Sequence, residues 1–217
     1  MTTNRREQDM ERTRQLILDA AREEFIASGY EATSVRQVAR RAGFSHGTIY
    51  LHFRDKDDLL FQVSEDEFAR LLSQLRALPR SQDPIQRLIG ALRAFGTYGL
   101  DHPHQYQLMM GHRPHTFSET DSPRFGPMAE QVSSFLGDLM REASRRSFVM
   151  GATPKLDHLT LLATVHGIVD MFLLKLVDRE TAERAIDHSI LLILSALTGG
   201  SCVIGAPELE VVTQRGV

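Results

Sequence analysis

Apolar residues recur at helical spacing along most of this chain, and breaks in that recurrence divide it into segments. Ile17, Ala20, Ala21 and Phe25 share one helix face. Val35, Val38, Ala39 and Ala42 follow at i, i+3, i+4 and i+7, and Ile49 and Phe53 form a third stripe at i, i+4. Ser28-Gly29-Tyr30 ends the first segment. Gly43 ends the second, where a positive φ carries no Cβ penalty. Thr33 and Ser45 stand just before the second and third segments as N-cap candidates. Two short helices joined by Gly43-Phe44-Ser45 make a helix-turn-helix, the unit that lays a helix into the major groove of DNA.

The rest of the chain continues in the same period. A long helix is expected over 55–78 with Leu60, Val63, Leu71, Leu75 and Leu78 inward, then a polar break over 79–84. Leu88, Leu92 and Phe95 phase a helix over 85–101, and His102-Pro103 opens a shorter one to about 112. A loop rich in Pro, Ser, Thr, Asp and Gly runs over 113–127, followed by a helix over 128–148 and a break over 151–154. Two strongly apolar helices, 155–177 and 180–198, close the chain before Gly199-Gly200. No alternating strand pattern survives. The expected fold is therefore all-α. A three-helix N-terminal unit over 11–71 (motif 34–53) is linked by a long fourth helix to a larger helical domain over 80–200. Residues 1–10 and 201–217 are expected to be flexible tails.

The last two helices are apolar around too much of their circumference to be covered by one core. One face serves the fold and the other asks for a partner, most simply a second copy on a two-fold axis. Leu159, Leu162, Val169, Phe172, Leu173, Ile190, Leu191, Leu194 and Leu197 form the expected dimer interface.

Charge sharpens the reading of the motif. The chain of 217 residues has a formal net charge of -3, so it is not basic overall. Within 36–56, however, Arg36, Arg40, Arg41, Arg54 and Lys56 stand against Asp55 alone, a local +4 suited to a phosphate backbone. With Ile49 and Phe53 facing inward, Thr48 and His52 point outward one turn apart, Tyr50 lies to one side, and His46 and Gly47 sit at the helix start. Hydroxyls, imidazoles and N-terminal amides are partners for phosphates and base edges.

Other chemistry is sparse. Cys202 is the only cysteine, which excludes an internal disulfide and fits the reducing cytoplasm, the expected location. The charged N-terminus has no signal-peptide core, and the apolar stretches near 171–177 and 190–197 are too short or interrupted to cross a bilayer, so no membrane partner is expected. No phosphate-binding glycine loop, nucleophile elbow or zinc-protease motif is present, so an enzyme is not expected. His102-x-His104 and His112-x-x-His115 keep a metal-responsive or metal-binding helical protein open as the alternative, although the spacing matches no strong zinc pattern.

The run ILDAAREEFIASGYEATSVRQVARRAGFSHGTIYLHFRDKDDLL resembles the N-terminal domain of the tetracycline-repressor (TetR) family of transcriptional regulators, over roughly residues 11–71. The match rests on Ala20-Ala21, Phe25, Gly29-Tyr30, Thr33, Ala39, Ala42-Gly43, Ser45, Gly47, Tyr50-x-His52-Phe53, and Lys56 before Leu59. The resemblance implies that Thr33 caps the second helix and touches a phosphate, and that Ser45, Gly47 and Thr48 lie near phosphates and base edges. It further implies that Tyr50 and His52 contact backbone or bases and that Lys56 grips a phosphate. His46 occupies a variable family position and is the candidate for sequence-dependent contact; Ser34 and Arg36 complete the expected DNA-contacting set.

The resemblance also implies a homodimer on palindromic double-stranded operator DNA, most simply a repressor, released by a small apolar inducer in the C-terminal domain; activation remains open. Phe95, Tyr98, Tyr106, Met109, Met110, Phe117, Phe135, Leu139, His166 and Asp170 are the expected inducer-lining residues, and no cofactor is expected. His102-Pro103-x-x-Tyr106-x-Leu108-Met109 and Val165-His166-Gly167 resemble a family subclass with a Trp/His-Gly motif, but the Trp is missing.

Overall fold

The computed structural model describes residues 2–79, 81, 83–110, 126–147 and 154–197. Among them are nine helices and no strand: α1 (Thr2–Ala32), α2 (Val35–Ala42), α3 (His46–His52), α4 (Lys56–Ala77), α5 (Pro84–Asp101), α6 (Pro103–Met110), α7 (Pro127–Ser147), α8 (Pro154–Leu173) and α9 (Arg179–Leu197). Phe117, His112, His115, Cys202 and the segment 201–217 lie outside the described residues.

The N-terminal unit closes where its glycines allow. Gly29 breaks the regular geometry of α1 at φ 76°, so the chain turns before Thr33. Gly43, also at φ 76°, ends α2 with its own N–H on the Arg40 carbonyl and the Phe44 N–H on the Ala39 carbonyl. These paired bonds form a Schellman closure, and Phe44 folds back against the core as its apolar partner. Ile17, Leu18, Ala21, Phe25, Val38, Ile49, Phe53, Leu59 and Val63 pack into one cluster beneath the motif. Residues 2–10, expected as a flexible tail, instead extend α1, with residues 5–12 exposed.

The larger unit surrounds α5. Its core joins α4, α5, α7, α8 and α9 through Leu71, Leu75, Leu88, Leu92, Leu136, Met140, Leu161, Val165 and Ile186, all buried. The helix expected over 155–177 stops at Leu173. Lys175 adopts a left-handed φ of 57°, its N–H bonds the Phe172 carbonyl, and the Leu176 N–H bonds the Met171 carbonyl. This is the closure seen at Gly43, here built on a lysine, so sequence alone gave no stop signal. Asp178 then caps α9 by accepting the Thr181 N–H at 2.8 Å.

Helix phase corrects part of the expected dimer face. Val169, Ile190 and Leu194 are fully buried within the chain's own core, because α8 and α9 turn those positions toward α5 and each other. Phe172, Leu173, Leu191 and Leu197 are half-buried against that core, and Leu162 lines a cavity. The side left uncovered carries Leu156, Leu159, Ala163, Gly167 and Met171 on α8, Leu174 just after it, and Leu192 on α9 at 61 % exposure. Leu156–Leu173 is also long and apolar enough to cross a membrane by length and composition, contrary to expectation. One side of that helix is packed on α5, α7 and α9.

A buried polar junction ties the two units together. The Arg22 Nε on α1 donates to Glu67 Oε1 on α4 at 2.5 Å, and the same guanidinium pairs with Asp66 and with Asp19. Glu67 is 1 % exposed, and its other oxygen accepts the Tyr98 hydroxyl of α5 at 3.1 Å. Burial, with the Glu67 charge beside it, raises the Tyr98 phenol, which therefore stays a donor. A second tie is apolar: Leu108 of α6 packs in the N-terminal core, while Tyr106 and Met109 of the same helix pack in the larger one. Arg22→Ala would leave Glu67 buried without its cation. We expect it to lower stability by about 3–5 kcal/mol in urea denaturation at fixed protein concentration. Arg70→Ala, at the solvent edge of the cluster on Asp66, should change it by less than about 1 kcal/mol.

Candidate nucleic-acid interface and internal cavity

The motif presents α3 outward on a rigid base. Ser45 caps the helix by accepting the Thr48 N–H at 3.1 Å, and its hydroxyl lies 2.8 Å from the Thr48 hydroxyl. Ile49 and Phe53 anchor the inner face in the core. His46, Gly47 and Tyr50 are exposed, with the His46 and Tyr50 rings edge to face at 4.9 Å; Thr48 and His52 are half-buried at the margin. Leu51 stands out at 78 % exposure. Sequence reasoning passed over it, although its place off the Ile49/Phe53 stripe was the available signal. An uncovered apolar side chain on such a helix suits a thymine methyl group.

The cap of α2 belongs to Ser34, not Thr33. The Ser34 side chain accepts the Gln37 N–H while the Gln37 side chain accepts the Ser34 N–H, a reciprocal capping box. Thr33 is only 2 % exposed, and its hydroxyl donates to the Gly29 carbonyl at 2.7 Å. It latches the turn after α1 rather than facing a phosphate. Lys56 is partly committed too: its ammonium donates to the Tyr30 carbonyl at 3.0 Å and lies 4.0 Å from the centre of the Tyr30 ring. The carbonyl bond uses one of its three N–H donors.

The expected excess of positive charge is smaller in space than in sequence. Arg41 pairs with Glu23 at 3.0 Å and Glu24 at 2.8 Å, bracing α2 against α1, and Arg54 pairs with Asp58 at 3.5 Å. Arg36 and Arg40 are left exposed beside α3, with no ion pair among the described residues.

In the larger unit a cavity of about 550 Å³ opens between α4, α5, α7 and α8 at the end of α6. Phe68, Phe95, Met110, Ala129, Glu130, Val132, Ser133, Ser134, Leu159, Leu162, Ala163 and His166 line it. Three of the expected residues, Phe95, Met110 and His166, are therefore on its wall. Tyr106 lies behind it, fully buried, with its hydroxyl 2.8 Å from His166 Nδ1. Asp170 holds the other ring nitrogen, Nε2, at 3.2 Å. His166 is thus oriented from both sides.

Tyr98, Met109, Phe135 and Leu139 are not on the wall. Tyr98 is turned toward Glu67, Met109 is buried in the core, and Phe135 and Leu139 pack against that core. Sequence reasoning missed Phe68 and the α7 segment Ala129–Ser134. Phe68 reads as an ordinary core position, and small and polar residues carry no hydrophobic signal. For the metal alternative, the His102 ring packs 4.8 Å from that of Tyr98, and no cluster of three candidate metal ligands occurs among the described residues.

Comparison with known proteins places this geometry. Residues 17–63 match the profile described as bacterial regulatory proteins, tetR family, and residues 88–197 match the tetracyclin repressor-like C-terminal domain. The HTH-type transcriptional regulator AcrR of Shigella flexneri is 38 % identical over 73 residues, 32 % of this chain and 34 % of that protein. In matches of this kind the chain spans about a third of the relatives' length. The regulator BetI of Escherichia coli is 30 % identical over 173 residues, covering 72 % of this chain and 84 % of BetI. Among solved structures, the fatty acid degradation regulator FadR from Bacillus halodurans superposes with a TM-score of 0.70. It has 19 % identity, over 85 % of this chain and 96 % of FadR, a likeness of fold alone.

Proposed function

Because this chain belongs to the TetR family of transcriptional regulators, we propose that it acts in the cytoplasm as a homodimeric repressor released from DNA by a small molecule. Two copies of α3 would enter successive major grooves of a palindromic operator, roughly 34 Å apart. Arg36, Arg40 and Lys56 would hold phosphates. His46, Tyr50 and Leu51 would read base edges, with Ser34, Ser45, Gly47, Thr48 and His52 at the backbone margin. The uncovered α8–α9 face, from Leu156 to Leu192, supports pairing of two copies. The cavity wall supports an apolar effector.

The observation that carries the reading is the position of α6. Met110 and the Tyr106–His166 bond tie that helix to the cavity, while Leu108 inserts into the core beneath the motif. An effector that fits better when α6 is displaced must favour the head position that grips DNA less well. Phe68 and Phe95 line the same cavity on the helices that carry Glu67 and Tyr98, so the buried polar junction feels the same displacement.

Four variants test this reading, with operator binding measured on fragments selected from random DNA. Leu192→Glu should give a monomer in sedimentation velocity and weaken operator binding at least about tenfold. Arg36→Ala should weaken binding to all sequences and reduce the salt slope by about one, whereas His46→Ala should relax preference at one base position per half-site. Gly99→Ala brings a Cβ to 2.6 Å from Val169 Cγ1 and 3.0 Å from the Tyr106 ring, pressing on the α6 anchor. It should lower operator affinity by about tenfold without effector while the dimer persists. Undiminished binding by Gly99→Ala would contradict the coupling.

A further inference from the structure

We propose that the cavity selects a lipophilic organic cation, an apolar molecule carrying one positive charge, over its anionic counterpart. The inference rests on the reading of the cavity as the effector site and assigns the charge of what enters it. The polar groups on its wall are acidic or neutral: Glu130, the hydroxyls of Ser133 and Ser134, and His166. No lysine or arginine lines it among the described residues. His166 is spoken for on both nitrogens and is backed by the Asp170 carboxylate at 3.2 Å, so the pair brings no net positive charge to the wall.

The place where an anion would ordinarily settle is already occupied. The first turn of α7 borders the cavity, and free amides at a helix start attract negative charge. Here the Met128 N–H donates to Glu65 Oε2 at 2.9 Å, so a carboxylate of the protein's own has taken that position. Glu130, exposed at the cavity edge in the first turn of α7, has a carboxylate in no ion pair or hydrogen bond among the described residues. An entering anion would meet the Glu130 carboxylate, with no cation on the wall among the described residues. An entering cation would meet the Glu130 carboxylate, and the ring faces of Phe68 and Phe95 and the Met110 thioether would surround its apolar part. A cavity of about 550 Å³ accommodates a molecule of drug size.

The test uses the full-length protein and displacement of the neutral fluorescent probe N-phenyl-1-naphthylamine. Decyltrimethylammonium and decanoate, matched in chain length, compete below their micelle-forming concentrations. Decyltrimethylammonium should displace the probe at about tenfold lower concentration than decanoate. Glu130→Gln should narrow that gap to about threefold or less, and Ser133→Trp, which fills the cavity, should abolish probe binding. If the probe binds and Ser133→Trp removes it, but decanoate competes as well as the cation or Glu130→Gln leaves the gap unchanged, the charge assignment is overturned and the cavity reading stands. If the wild-type protein fails to bind the probe, or Ser133→Trp binds it equally well, both are overturned.

Discussion

The buried contact between Arg22 and Glu67 is the constraint on which the molecule turns. A carboxylate that is 1 % exposed is tolerated only with a partner, and a guanidinium supplies one in fixed geometry. The pair sits where α1 of the N-terminal unit meets α4 of the body, and Tyr98 carries it into α5. Two apolar cores joined by hydrophobic contact alone would slide with little directional preference. Three hydrogen-bonded side chains at the seam select one register.

α6 makes the second connection and explains how a short helix matters to both ends. Its eight residues hold the Tyr106–His166 bond and Met110 on the cavity side, and Leu108 in the core under the motif. Gly99 of α5 leaves the space in which the Tyr106 ring lies. α6 thus belongs both to the cavity wall, through Met110, and to the core under the motif, through Leu108. Nothing in that arrangement needs a long-range signal, because each step is a packing contact.

Much of this was legible in the sequence, for local reasons. The i, i+4 spacing of Ile49 and Phe53 fixed which face of α3 turns outward, and Gly43 and Ser45 marked the ends that the structure shows. What escaped was decided by partners that only the folded chain brings into place. Thr33 and Ser34 are adjacent and both can cap; only the Gln37 side chain and the carbonyl of Gly29 settle which faces out. Arg41 and Arg54 count as free charge until Glu23, Glu24 and Asp58 are brought beside them. Val169, Ile190 and Leu194 look like interface leucines and valines do anywhere on an apolar helix, and α5 decides that they are core. The cavity wall was least readable because a void is defined by what does not fill it, and Ser133, Ser134 and Ala129 leave little trace in a hydrophobic pattern.

The central claim is a linkage between cavity and DNA, and linkage is reciprocal. The most direct measurement is the affinity of the full-length protein for N-phenyl-1-naphthylamine with and without saturating operator DNA. Operator affinity is then measured with and without the probe. Shared walls through α6 and the Glu67 junction predict that each partner weakens the other by the same factor, about fivefold or more. Simultaneous binding of probe and operator with unchanged affinities would contradict it.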